Sequence, residues 1–189
     1  MKDYPVVTPS GPEEMRAWLE GNHASSNGTW VVIQKKDSPR PGVDYETAVD
    51  EAVCYGWIDS RQHPRDESSY QLWFSPRKPD SIWSRSNKDR AARLTAAGRM
   101  CPAGLSAIET AKANGSWNAL DDIENLVIPP DFQAALDADA GAAAYYSAFS
   151  DSNKMMILRW LDAAKTPATR ARRIAETTAA AAQNQLPHH

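Results

Sequence analysis

The chain has 189 residues, 42% hydrophobic and 24% charged, with a formal net charge of -3. That length accommodates one domain, or one domain with a helical extension, and buries a sizeable core. Its mild acidity excludes a protein that coats nucleic acid or membrane by bulk charge, so any electrostatic partner has to be read locally.

Cys54 and Cys101 are the two cysteines and lie far apart, which is neither a disulfide framework nor a metal cluster and fits a reducing compartment. The opening MKDYPVVTPSGPEEM has no apolar core behind a basic head, and no run approaches the roughly 20 apolar residues of a membrane span. The expectation is a soluble cytoplasmic protein with no membrane partner. The spacing predicts a first helix in GPEEMRAWLEGNH, capped by Ser10, with Met15, Trp18 and Leu19 on one side. GTWVVIQKK from Gly28 is β-branched and reads as a strand. DYETAVDEAVCYG sets Tyr45, Ala48, Val49, Ala52 and Val53 in a helical stripe, capped by Asp44 and ended by Gly56.

WIDSRQH and SYQLWFS, joined by PRDES, read as a hairpin. In the second of these strands Tyr70, Leu72 and Phe74 alternate with Gln71, Trp73 and Ser75. Pro76 and Pro79 end it. Helices follow: one opened by Ser84 or Ser86 and stopped by Gly98, and one from Pro102 to Gly115. DDIENLVIPP is a linker, Asp131 caps DFQAALDA, and AAAYYSAF and SNKMMILRWLDAAK come next. A last helix begins at Thr166-Pro167, and the tail from residue 184 is expected to be disordered, with His188-His189 as a tag remnant. The class is α+β. A three-stranded β-α-β-β sheet region covers residues 1–125, and a helical region, 126–183, is expected to pack on it.

The blocks EAVCYGWIDSR, FSPRKPDSIWSRSNKDRAARL, AGRMCPAGLSAIETAKANGSW, PPDFQAAL and LDAAKTPATRARRI, in that order and spacing, closely resemble the YdeI/OmpD-associated family of small bacterial proteins. The family's labels, bacteriocin protection and outer-membrane-protein association, name phenotypes and imply no reaction, so no catalytic residue is carried over. Tyr55 stands where the family more often has Phe. Ala168 stands where it often has Glu, which removes one partner for Arg172.

Between Arg61 and Arg93 the cations Arg61, Arg65, Arg77, Lys78, Arg85, Lys88, Arg90 and Arg93 outnumber the acids Asp66, Glu67, Asp80 and Asp89. A helix opening at Ser84 would add unpaired N–H groups beside Arg77, Lys78 and Lys88, a combination that holds phosphate or carboxylate. The plainer alternative is that Ser84 caps the helix and the cations are solvated. Trp57, Tyr70, Trp73 and Trp83 fall on or beside the hairpin. Core packing is the default for each, with Trp73 the exception, placed to stack on the surface. Asp59 reads first as a carboxylate that positions Arg77, and second as a general base. Cys54, opposite the apolar stripe, is expected to be accessible, and with His63 forms a conceivable dyad.

The expected function is a noncatalytic binding protein. A small anionic ligand or an acidic protein segment would lie between the hairpin and the helix at Ser84, against Arg77, Lys78, Trp83, Ser84, Asn87, Lys88, Asp59, Trp57 and Trp73. An enzyme using Asp59 or Cys54 is the alternative. Nucleic-acid binding through Lys154, Arg159, Lys165, Arg170, Arg172 and Arg173 is the third reading. No cofactor and no metal is implied, since His23 and His63 have no ligand set near them and no phosphate-cradling glycine motif is present.

Overall fold

The computed structural model describes residues 4–187. Its chain divides into two compact units, Met1–Ala119 and Leu120–His189. Within the first unit a mixed sheet is built from β1 (Val6–Val7), β2 (Thr29–Gln34), β3 (Trp57–Pro64) and β4 (Ser69–Pro76), in the order β1-β2-β4-β3. The sheet therefore has four strands and not three. The short β1 runs parallel to β2, pairing Val6 with Trp30 and Val7 with Val31. Two residues carry no readable alternation, so nothing in the sequence distinguished them from a loop.

The hairpin forms as expected. Its register slips between Asp59 and Gln62, where β3 holds one residue more than the partner segment Leu72–Phe74. Such a bulge kinks a strand and re-aims its side chains. Here Arg61 comes to lie over the rings of both Trp30 and Trp73, at 5.8 and 5.5 Å.

α1 (Pro12–Asn22), α2 (Tyr45–Cys54), α3 (Arg85–Ala96) and α4 (Pro102–Asn114) complete this unit. Ser10 is not the cap of α1, a position that Gly11 takes with Pro12 as the first helical residue. The Ser10 hydroxyl and N–H instead both donate to Glu14, at 2.8 Å each. Asp44 caps α2 as expected, its carboxylate accepting from the Thr47 N–H. Of the two serines offered for α3, Ser84 is the cap. The core gathers Val31, Ile33, Leu72 and Phe74 from one sheet face with Val49, Val53, Met15, Leu19, Trp57, Trp83 and Leu94.

The second unit is helical: α5 (Asp121–Glu124), α6 (Pro130–Asp137), α7 (Ala140–Ala148), α8 (Asp151–Asp162) and α9 (Pro167–Ala181). The expected linker thus contains a turn of helix, whose Leu120 and Ile123 join a core with Phe132, Leu136, Ile157, Leu158, Leu161 and Ile174. Pro129 holds the cap position of α6, and Asp131 lies inside its first turn, bound to Arg170. Thr166 caps α9 and Pro167 opens it, as read from the sequence. Beyond α9 the chain turns at Asn184 (φ 54°) and the Gln185 N–H returns to the Ala180 carbonyl. Leu186 then packs against the core; His188 and His189, read as a tag remnant, lie outside the described residues. Among the described residues no helix is long and apolar enough to cross a membrane.

Candidate functional site

β4 ends at Pro76, and the next N–H, that of Arg77, donates to the Gly56 carbonyl at 2.9 Å. Gly56 has φ +73°, and a Cβ there would meet the Ala103 carbonyl at 3.0 Å. Glycine therefore lets the turn from α2 into β3 lie against α4. A pocket of about 210 Å³ opens at this junction, lined by Gly56, Arg77, Lys78 and Trp83 on one side and by Ser106 and Thr110 of α4 on the other.

Arg77 dominates its chemistry. The guanidinium lies over the Trp83 ring, 3.8 Å from the centroid, and Trp83 in turn packs on Trp117 at 5.0 Å. Its three nitrogens are buried and none has a hydrogen-bond partner. Burial lowers the Arg77 pKa to about 10, with the charge of Asp59 acting in the opposite direction. A buried guanidinium normally meets acceptors, so this one is an exception that calls for a partner.

The other predicted residues separate into groups. Lys78 is exposed at the rim, where its N–H donates to the Ser81 hydroxyl. The Ser84 hydroxyl accepts from the Asn87 N–H and the Asn87 amide, so these two are joined in a helix cap and do not line the pocket. Lys88 points its ammonium over Trp117, at 5.6 Å, as does Lys112 at 5.7 Å. The pocket consequently lies between the end of the hairpin and α4, not between the hairpin and α3.

Asp59 accepts from the Tyr45 hydroxyl at 3.3 Å. Trp57 is core: it packs on Trp18, and its indole N–H donates to the His23 carbonyl. Trp73, expected to stack at the surface, is 6% exposed. Tyr4 and Trp30 meet its ring edge-on, and Gly28 lies so close that a Cβ there would stand 2.2 Å from it. Cys54 is fully buried and not accessible, and burial pushes its thiol pKa up, which removes the dyad with His63.

Much of the basic excess has structural partners. Arg90 binds Glu46 and Asp50, and Arg93 binds both Asp50 oxygens, at 2.7 and 2.8 Å. In the second unit, Arg170 and Arg173 donate to the Leu161 and Trp160 carbonyls at the end of α8, and Arg173 also stacks on Trp160. Arg172 faces Glu176, Arg159 faces Glu124, and Lys154 donates to the Ser147 carbonyl. A row of cations free for phosphates is thereby reduced.

Two groups were not legible in advance. One is α4 as a pocket wall, since Ser106 and Thr110 look like any solvated face. The other is the carboxylate of Glu51, 1% exposed, which binds Arg16 and Arg99. Among the described residues no group of three His, Cys, Asp or Glu side chains is placed to hold a metal ion.

No curated protein and no solved structure matches the chain. Residues 7–107 match a family described as a domain of unknown function, DUF8412, and residues 125–184 match the family described as Bacteriocin-protection, YdeI or OmpD-Associated. The two matches fall in the two units separately. The match to the YdeI/OmpD-associated family holds the last two of the five blocks that resemble it, PPDFQAAL and LDAAKTPATRARRI, and the first three lie outside it; over more than half its length the chain belongs to the DUF8412 family.

Proposed function

We propose that this is a noncatalytic binding protein whose site is the pocket at Arg77, and that the ligand is a small carboxylate. The observation that carries this reading is the guanidinium of Arg77, buried on Trp83 with none of its nitrogens bonded. A planar fork of donors matches a carboxylate in a bidentate pair, and the surrounding low dielectric strengthens the contact. Ser106 and Thr110 line the same pocket and bring hydroxyls that can complete the shell of a bound anion. At about 210 Å³ the space suits a free small anion better than the side chain of a folded partner with its flanking backbone.

The test is a thermal-shift titration with formate, acetate and inorganic phosphate on the wild type and on Arg77→Met. Methionine keeps an apolar stem on Trp83 and removes a buried unpaired charge, so the variant is expected to fold. A carboxylate should raise the wild-type melting temperature in a concentration-dependent way and leave Arg77→Met unmoved. An equal response of the two proteins, or no response of the wild type to any of the anions, would remove the proposal.

A further inference from the structure

The C-terminal unit contains a second cavity, of about 310 Å³, at the low end of the roughly 300–1,000 Å³ typical of small-molecule sites. Leu126, Ile128, Leu136 and Ala143 form apolar walls, and Tyr146 and Lys154 line it as well. Leu126 sits at φ 58°, the left-handed position after α5 where glycine is the usual occupant. Retaining leucine there costs backbone strain and keeps an apolar side chain on the cavity wall.

Two donors at this cavity have unused capacity. Tyr146 is 3% exposed, and its hydroxyl is buried with no hydrogen-bond partner. Burial pushes its pKa up to about 12, so the phenol stays protonated and able to donate at neutral pH. The Lys154 ammonium donates to the Ser147 carbonyl at 2.7 Å. An ammonium has three N–H donors, so it can serve a further acceptor. None of the side chains lining the cavity is acidic.

We propose that this cavity binds a small apolar carboxylate. Its hydrocarbon body lies against Leu126, Ile128, Leu136 and Ala143, and its carboxylate is taken by the Tyr146 hydroxyl and the Lys154 ammonium. One cation and one neutral donor match a single negative charge, whereas a dianionic phosphate would bring an uncompensated charge into an apolar space. This site is in the unit that does not contain Arg77, and its ligand differs in requiring an apolar body.

The experiment titrates the full chain with 3-phenylpropionate and with its neutral amide, following backbone amide resonances by NMR. The wild type should show saturable shifts centred on Ala143 and Ser147. Tyr146→Phe removes only an unbonded hydroxyl, and Lys154→Gln keeps a polar stem; each should weaken the acid about tenfold, the size of one lost charge-assisted hydrogen bond. Lys154→Gln should leave the amide unchanged, and Arg77→Met should leave both ligands unchanged. The proposal is overturned by absence of saturable binding at millimolar acid or by shifts centred elsewhere. It is equally overturned if either variant binds the acid as tightly as wild type, if Lys154→Gln loses acid and amide alike, or if Arg77→Met abolishes binding.

Discussion

Two buried charges in the N-terminal unit are handled in opposite ways. Glu51 is enclosed on α2 and accepts from Arg16 at 2.9 Å and from Arg99, while Arg16 also donates to the Arg99 carbonyl and the Cys101 sulfur. Arg77 has an aromatic face and the charge of Asp59, with no acceptor bonded to it. The first arrangement is complete by itself, and the second is completed by a ligand under the reading above. Removing the acid from a buried pair ordinarily costs 3–5 kcal/mol, but the side chains of Arg16 and Arg99 are 35% and 40% exposed and can recover water. Glu51→Ala is therefore expected to lower unfolding stability by about 2 kcal/mol in urea, toward or below the low end of that range. A loss under a few tenths would show that the pairs contribute nothing. None of this was readable in one dimension: Glu51 follows the apolar stripe of a helix like any solvated acid, and its partners are 35 and 48 positions away.

At the scale of elements, α2 is the centre of the first unit. Every residue from Ala48 to Cys54 is buried, including Asp50 and Glu51, because α1, α3, α4 and β3 all contact this helix. An amphipathic stripe predicts one covered face, so the sequence located the helix and understated its burial; Cys54 was misplaced for that reason. α4 approaches closely, since a Cβ on Gly104 would stand 2.3 Å from the Cys54 carbonyl oxygen. Backbone cannot give way as a flexible side chain can. Gly104→Ala should push α4 off α2 and cost about 2 kcal/mol by denaturant unfolding, in the range of overpacked cores. Wild-type stability in this variant would mean that the two helices have room to part. Caps were more legible, since Asp44, Ser84 and Thr166 act within three residues of themselves.

At the scale of the whole molecule, each unit has its own hydrophobic core, and the family matches follow the same division. Domains with separate cores can in principle fold alone, although about 70 residues is near the lower limit for doing so. Residues 1–119 and 120–189 expressed separately should each give a cooperative thermal transition by circular dichroism. A gradual, noncooperative loss of helix in 120–189 would show that its core does not stand alone.

By itself the sequence determined the α+β class, the hairpin, nearly all the helices and several of their caps, because periodicity, glycine, proline and short polar side chains act over a few residues. Within the stretch SPRKPDSIWSRSNKDR it pointed to Arg77, Lys78, Trp83, Ser84, Asn87 and Lys88 together, without separating Arg77 and Trp83 from the rest. Tertiary structure alone decided which cations are neutralised, that Arg77 has no acceptor, that α4 closes its pocket, and that Tyr146 lines a second one. Those facts depend on contacts between residues tens of positions apart, and charge, burial and partner are properties of that packing.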